Sequence, residues 1–401
     1  MTKIRRRKTV RQIGIVRHEK FHLRDFDFRL LIYVLALSIL GILYVHSATA
    51  NEVTQSLVST TVKQIIGVAF GFVLMVVLAF LDYIQLVRFS WVFYLFSILL
   101  LVYLLVFGQA IYGAKRWLYF PFLGTIQPSE FTKPALLLFL SFIIFRFKDK
   151  ISKIYVILLY FAAAAPILVL VLMEPDLSTA VVLAIIIVVC LFLGEISYKW
   201  VVGVLIAMIP VILFLVIAVY QPEQTILNSF LKPHQVERIN AYFFPENYPD
   251  VIRQQNNSVM AIASGGFFGK GIGTSSLDSV KNGNFLSEEQ CDFIFAIVGE
   301  EGGFLGCAII VILLGLVVFE CFYVAHKCED LAGRVIAGGA GASIGFQSLI
   351  NISVALGLVP NTGIPLPFIS AGLSSLLSTY LLIGAVLSIK LYGSVQRRVI
   401  I

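Results

Sequence analysis

Residues 28–48 read FRLLIYVLALSILGILYVHSA, an apolar run of 21 residues whose one full charge, Arg29, sits at its edge. A helix of about 20 residues is long enough to cross a hydrocarbon core of about 30 Å, so this run predicts a transmembrane helix. Outward from it the pattern recurs. Spans are expected at 28–48, 62–81, 89–110, 131–147, 154–173, 178–194, 200–220, 293–325, 334–356 and 373–391, and the breaks between them collect charges, prolines and glycines. A membrane β-barrel would show short alternating strands instead. Composition agrees, because 59% of the 401 residues are hydrophobic, 13% are charged and the mean hydropathy is +0.93, far outside soluble globular usage. The fold class expected is an all-α polytopic integral membrane protein of about ten transmembrane helices.

Charge sets the orientation. Residues 1–29 carry ten Lys and Arg, and if this end stays in the cytoplasm an even number of spans returns the C-terminus there. On that topology 21 Lys and Arg lie inside and 9 outside, five of the nine in one long loop where the rule is weak. The organisation expected is a basic cytoplasmic tail (1–27), a transmembrane domain (28–392) whose residues 221–292 form a large extracytoplasmic loop, and a short cytoplasmic tail (393–401). The basic tail is too long for a signal peptide, and no small-residue cleavage site follows a short apolar core. It is expected to orient the chain and to meet anionic membrane lipids, not nucleic acid. Five cysteines (Cys190, Cys291, Cys307, Cys321, Cys328) show no CxxC spacing and an odd count, which suggests neither a zinc site nor a disulfide framework.

The loop 221–292 holds HQVERINAYFFPENYPD and QQNNSVMAIASGGFFGKGIG, a mixture of aromatics, amides and single charges expected to fold against the membrane face. SGGFFGKGIG lacks the GK[ST] of a phosphate loop and reads as tight turning at the lipid boundary. A second outside loop, GAKRWLYFPFLGTIQPSEFTKPALL, brings Lys115, Arg116 and Trp117 before Glu130 and Lys133. Glu130 and Lys133, three apart on a helix, can pair. Two or three cations beside a tryptophan suit either an interfacial anchor or an anion site for a diphosphate whose lipid tail stays in the bilayer. In MEPDLSTA, Asp176 reads as a helix cap. GLVPNTGIPLPFISAGLSS, with three prolines and three glycines, cannot form one regular helix and is expected to line a cavity or be buried in protein.

Seven segments in order, GAKRWL, IQPSEFTK, EPDLSTA, ERINAYFFPE, SVMAIASGGFFGKGIG, EEQCDFIFAIVGEE and NTGIPLPFIS, resemble the SEDS family of shape, elongation, division and sporulation proteins, among them RodA, FtsW and SpoVE. The resemblance runs from about residue 28 to 392. It implies a bacterial peptidoglycan glycosyltransferase that polymerises lipid II at the outer face of the cytoplasmic membrane beside a class B penicillin-binding protein. It also implies that Asp292 is the family's essential aspartate and that Trp117 is a functional position. The sequence departs from the commonest family pattern at Ala371 and Leu373, where PFISYGG is usual, and at Gln290 and Cys291, where HT is frequent.

Glycan extension displaces a lipid diphosphate from an anomeric carbon by a sugar hydroxyl, so it needs a base for the hydroxyl and cations for the diphosphate. Asp292, where polar sequence meets FIFAIV, is the expected general base, with apolar surroundings expected to raise its pKa. Glu288 and Glu289 are expected in solvated loop. Glu300 lies about 12 Å along a helix from Asp292 and about 80° around it, with Glu301 near the opposite side. Glu300 is thus a candidate substrate contact, against the bland reading of a buried partner for Lys or Arg. No metal-ligand spacing stands out, although carboxylates are available for a divalent cation such as Mg or Mn. A lipid II flippase and a scaffold for the division or elongation machinery are the competing functions.

Overall fold

The computed structural model describes residues 26–50, 59–111, 114–120, 124–220, 232–274, 279 and 290–400. In chain order, α1 (Phe28–Ala48) and α2 (Thr60–Ala79) lead through a short α3 (Tyr83–Arg88) to α4 (Ser90–Phe107). A small sheet of β1 (Gln109–Ile111), β2 (Ala114–Phe120) and β3 (Gly124–Ile126) follows. Then come α5 (Pro128–Arg146), α6 (Ile154–Met173), α7 (Leu177–Leu193) and α8 (Tyr198–Val219). The long outer loop contributes α9 (Pro233–Phe243) and α10 (Pro249–Ser264), and the chain ends on α11 (Ile294–Lys327), α12 (Leu331–Ala355) and α13 (Leu373–Ile400).

Each of the ten expected spans is a helix in this order. Among the described residues eight helices are at least 18 residues long and apolar enough to cross a membrane, and α7 is a shorter apolar helix of 17 residues. The protein is a multi-pass membrane protein. Lipid supplies no hydrophobic drive between helices, so the bundle must gain its stability from close van der Waals packing and polar contacts, which small residues permit. α12 shows this most clearly. Its AGGAGAS stretch is buried, with Gly338 against Leu193 of α7, Gly339 against Leu137 of α5 and Gly341 against Cys321 of α11.

Two features were not foreseen. The antiparallel sheet is one, with Gln109 opposite Trp117 and Leu118 opposite Ile126. Its residues read as an interfacial loop in the sequence, because β1 and β3 have only three residues each and the AKRWLYF of β2 shows no strict polar–apolar alternation. The other is a break in α11 at Gly303 (φ +62°, ψ −160°). There the glycine-rich segment after α10 bonds to the interrupted helix. Lys270 and Gly271 amides donate to the Glu300 and Glu301 carbonyls at 2.9 and 3.0 Å, while the Phe304 and Leu305 amides donate to the Gly266 and Phe267 carbonyls. The expected tight turn is thus a backbone splint for a broken membrane helix, since carbonyls freed at such a break need partners inside the protein.

Candidate functional site

The site is built from the outer ends of the helices. Asp176 caps α7 as expected, accepting from the Thr179 amide at 3.1 Å, and its other oxygen accepts from Thr179, Ser129 and Gln127 at 2.8, 2.9 and 2.7 Å. This carboxylate therefore ties the start of α5 to the start of α7. Two residues earlier Glu174 is fully buried, and neither of its oxygens has a hydrogen-bond partner among the described residues. Burial pushes its carboxyl up to about 9, Asp176 adds to the rise and Arg116 opposes it.

Strand pleating puts neighbouring side chains on opposite faces, so Arg116 and Trp117 of β2 diverge. Arg116 reaches the turn between α6 and α7, donating from Nε to the Glu174 carbonyl at 3.3 Å and from Nη2 to the Pro175 carbonyl. Gln235 of α9 donates to the same Pro175 carbonyl at 2.7 Å. Three residues on along that helix stands Arg238. Burial holds its guanidinium below the usual value, Asp292 offsets part of that and Arg116 adds to it.

Asp292 belongs to a turn whose main-chain carbonyls are held by donors from other segments. Ala371 N–H donates to the Gln290 carbonyl at 2.8 Å, Ser370 Oγ to the Cys291 carbonyl at 2.6 Å and Asn351 Nδ2 to the Asp292 carbonyl at 2.9 Å. Asn351 also donates to the Ile364 carbonyl at 2.7 Å, so α12 pins Asp292 and the irregular 357–372 segment together. The N-cap of α11 is Phe293, without a side-chain capping bond, so Asp292 is not the cap of that helix. A methyl placed on Gly363 (φ +71°) would lie 3.3 Å from Asp292 Oδ2 and 3.5 Å from Arg238 Nη1. Ser178 Oγ donates to the adjoining Thr362 carbonyl, closing the ring of contacts back to α7.

The other expected residues fall as follows. Lys115 lies on β2 with its side chain outside the described residues, as are Glu288 and Glu289. Glu130 and Lys133 pair at 2.6 Å, but deep in the bundle, their side chains 6% and 3% exposed. Lys133 also donates to Gln347 at 2.9 Å, and Gln347 to the Pro365 carbonyl at 3.0 Å. Gln347 and Asn351 are one helical turn apart on α12, so the ion pair sits one turn deeper than the Asp292 joint. Glu300 pairs with Lys270 at 2.8 Å and Glu301 accepts from Ser47 of α1 at 2.5 Å, so the two diverge, and the buried Glu300 carboxylate has a lysine partner. Among the described residues no three His, Cys, Asp or Glu side chains converge as a metal-ligand set.

Sequence reading missed Arg238 and Glu174 as site residues. Both lie in segments that stood out, but only folding shows that a loop arginine on α9 reaches an aspartate 54 residues on. The departures at Ala371 and Cys291 fall where main-chain atoms make the joint, and Leu373 fills the space over Gly67 of α2.

The family model described as "Cell cycle protein", covering FtsW, RodA and SpoVE, matches residues 28–394. A protein of Trichlorobacter lovleyi named "Probable peptidoglycan glycosyltransferase FtsW" is 30% identical over 376 residues, covering 92% of this chain and 94% of that one. Its namesake from Bacillus subtilis is 32% identical over 379 residues, covering 90% and 89%. Among solved structures, a chain of a peptidoglycan synthase complex that coordinates polymerisation and crosslinking superposes with a TM-score of 0.74 at 28% identity, over 92% of this chain and 98% of that chain. The rod shape determining protein RodA of Thermus thermophilus superposes with a TM-score of 0.65 at 26% identity, over 91% and 96%. The chain therefore belongs to the FtsW, RodA and SpoVE family of multi-pass bacterial cytoplasmic membrane proteins.

Proposed function

We propose that this protein is a peptidoglycan glycosyltransferase that extends glycan strands from lipid II at the outer membrane face, in elongation, division or sporulation, beside a class B penicillin-binding protein. The observation that carries the reading is Asp292 held next to Arg238, with Arg116 close by on the same outer surface. A carboxylate set against two guanidinium groups matches what the reaction demands. Asp292 takes the proton of the acceptor sugar hydroxyl as its oxygen bonds to the anomeric carbon. The bond from that carbon to the diphosphate breaks with inversion, and its electron pair leaves on undecaprenyl diphosphate. Arg116, Arg238 and Lys115 meet the charge that develops there. Trp117, on the other face of β2, offers an aromatic surface to sugar or lipid. Glu130 and Lys133 hold α5 and Gln347 under the Asp292 joint, and Glu300 holds the glycine-rich splint through Lys270. The two relatives named as peptidoglycan glycosyltransferases support this reading, and the structural likeness to a chain of a synthase complex supports a partnered enzyme.

The test is purified protein with its penicillin-binding partner and lipid II, free of any other polymerase, scored for glycan strands. Asp292→Asn keeps the size of the side chain but removes the base, and is expected to lower polymerisation by roughly 10²–10⁴-fold with expression and partner binding intact. A folded Asn variant of near-normal activity would overturn the assignment of the base. Lipid II crossing liposome bilayers with no glycan formed would favour the transporter.

A further inference from the structure

We propose that Glu174 is a positioning residue for anion binding: its buried carboxyl carries no charge, and this leaves the Arg116 charge uncompensated for the diphosphate of a lipid-linked substrate. The inference rests on the glycosyltransferase reading above and deepens it.

An ionised carboxylate beside an arginine is the strongest partner the guanidinium can find, and the bidentate fork is its usual form. Arg116 instead donates to two main-chain carbonyls, those of Glu174 and Pro175, while both carboxyl oxygens of Glu174 stay without a hydrogen bond among the described residues. A buried carboxylate with no donor to either oxygen is costly, so this environment disfavours the charged form. Asp176, two residues on, is the contrast, its side chain collecting donors from the start of α5 and from α7. The charged groups facing Glu174 are Asp176 from its own turn and Arg116 from β2, with Arg238 of α9 and Asp292 beyond them. Burial is the main cause that lifts the Glu174 carboxyl to about 9, so it is protonated throughout the neutral range.

The consequence is electrostatic. With Glu174 neutral, Arg116 is bound to main-chain carbonyls and not to a carboxylate, and the ligand that gains most from it is one with several acceptor oxygens and no donor, as a diphosphate has. Ionised Glu174 would pair with Arg116, withdraw it from the site and repel the diphosphate. No bond forms or breaks at Glu174, and its proton stays on the carboxyl throughout.

The test is equilibrium binding of undecaprenyl diphosphate to the purified full chain in nanodiscs between pH 7 and pH 10, with undecaprenol as the phosphate-free control. In the wild type, affinity is expected to fall by about tenfold per pH unit once pH passes the carboxyl pKa, because each binding event then takes up one proton. Glu174→Gln, neutral at every pH and nearly isosteric, is expected to bind like the wild type at pH 7 and to lose that alkaline decline. The same decline in the Gln variant, or a tenfold weaker affinity at pH 7 in a variant that still elutes as a folded monodisperse protein, would overturn the inference. Binding needs no turnover, so a protein that binds in this way but makes no glycan sinks the glycosyltransferase reading alone. Glycan synthesis with no Glu174-dependent alkaline decline sinks only this inference.

Discussion

Arg238 and Asp292 face each other across Gly363, where a single added methyl would lie 3.5 Å from Arg238 Nη1 and 3.3 Å from Asp292 Oδ2. An α9 residue, an α11-leading turn and an irregular segment thus meet at a glycine, where a methyl would press on the Asp292 carboxylate by a few tenths of an ångström. Gly363 also has φ +71°, which an L-residue adopts at a cost of about 1–3 kcal/mol. Gly363→Ala is therefore expected to separate the pair and to lower lipid II polymerisation by at least about tenfold, the loss for ~1.4 kcal/mol of transition-state stabilisation. Initial rates on detergent-solubilised protein of matched thermal stability would check it, and an unchanged rate would show that the space is not used.

Arg238 should not tolerate replacement by lysine. A guanidinium presents a planar fork to diphosphate, whereas an ammonium is a point charge on a longer hydration leash. Arg238→Gln is expected to lower polymerisation by about 10²–10³-fold, the scale of losing one donor to developing charge. Arg238→Lys should recover only part of it, read as separate effects on kcat and KM. Equal activity of wild type and Gln variant would remove Arg238 from the site.

Glu130 and Lys133 form a buried pair, so removing one partner strands the other charge. Glu130→Gln or Lys133→Met alone is expected to cost about 3–5 kcal/mol of stability. The swapped double variant, Glu130→Lys with Lys133→Glu, should recover a measurable share, because opposite charges three residues apart on the helix can still pair. Thermal unfolding of the four proteins in one detergent closes the cycle, and strictly additive losses would show no coupling.

Gly269 has φ +79°, and a methyl there would run into the Glu301 carbonyl at the break in α11. Gly269→Ala is expected to cost at least about 1–3 kcal/mol from the backbone conformation alone. Limited proteolysis should then report an opened 264–274 segment. Gly315, with open space around its α-carbon, provides the control, and Gly315→Ala should be silent in the same assay.

The apolar runs and the Lys and Arg between them were enough to give the ten spans and their order, because crossing lipid demands about 20 apolar residues whatever the partners are. The cap at Asp176 and the pairing of Glu130 with Lys133 were legible for a related reason: both depend on helical spacing over three residues. Nothing local told that Glu130 and Lys133 lie deep in the bundle, that β2 turns Arg116 away from Trp117, or that the glycine-rich segment splints α11 at Gly303. Asp292 stood out by where it lies in the chain, but its neighbour Arg238 did not, since the contact joins elements separated by the whole outer loop. Those features belong to tertiary structure for one physical reason. Spans answer to the bilayer, a uniform solvent that acts on each segment alone, whereas the charge state of Glu174 and the company of Asp292 depend on which distant segments fold over them.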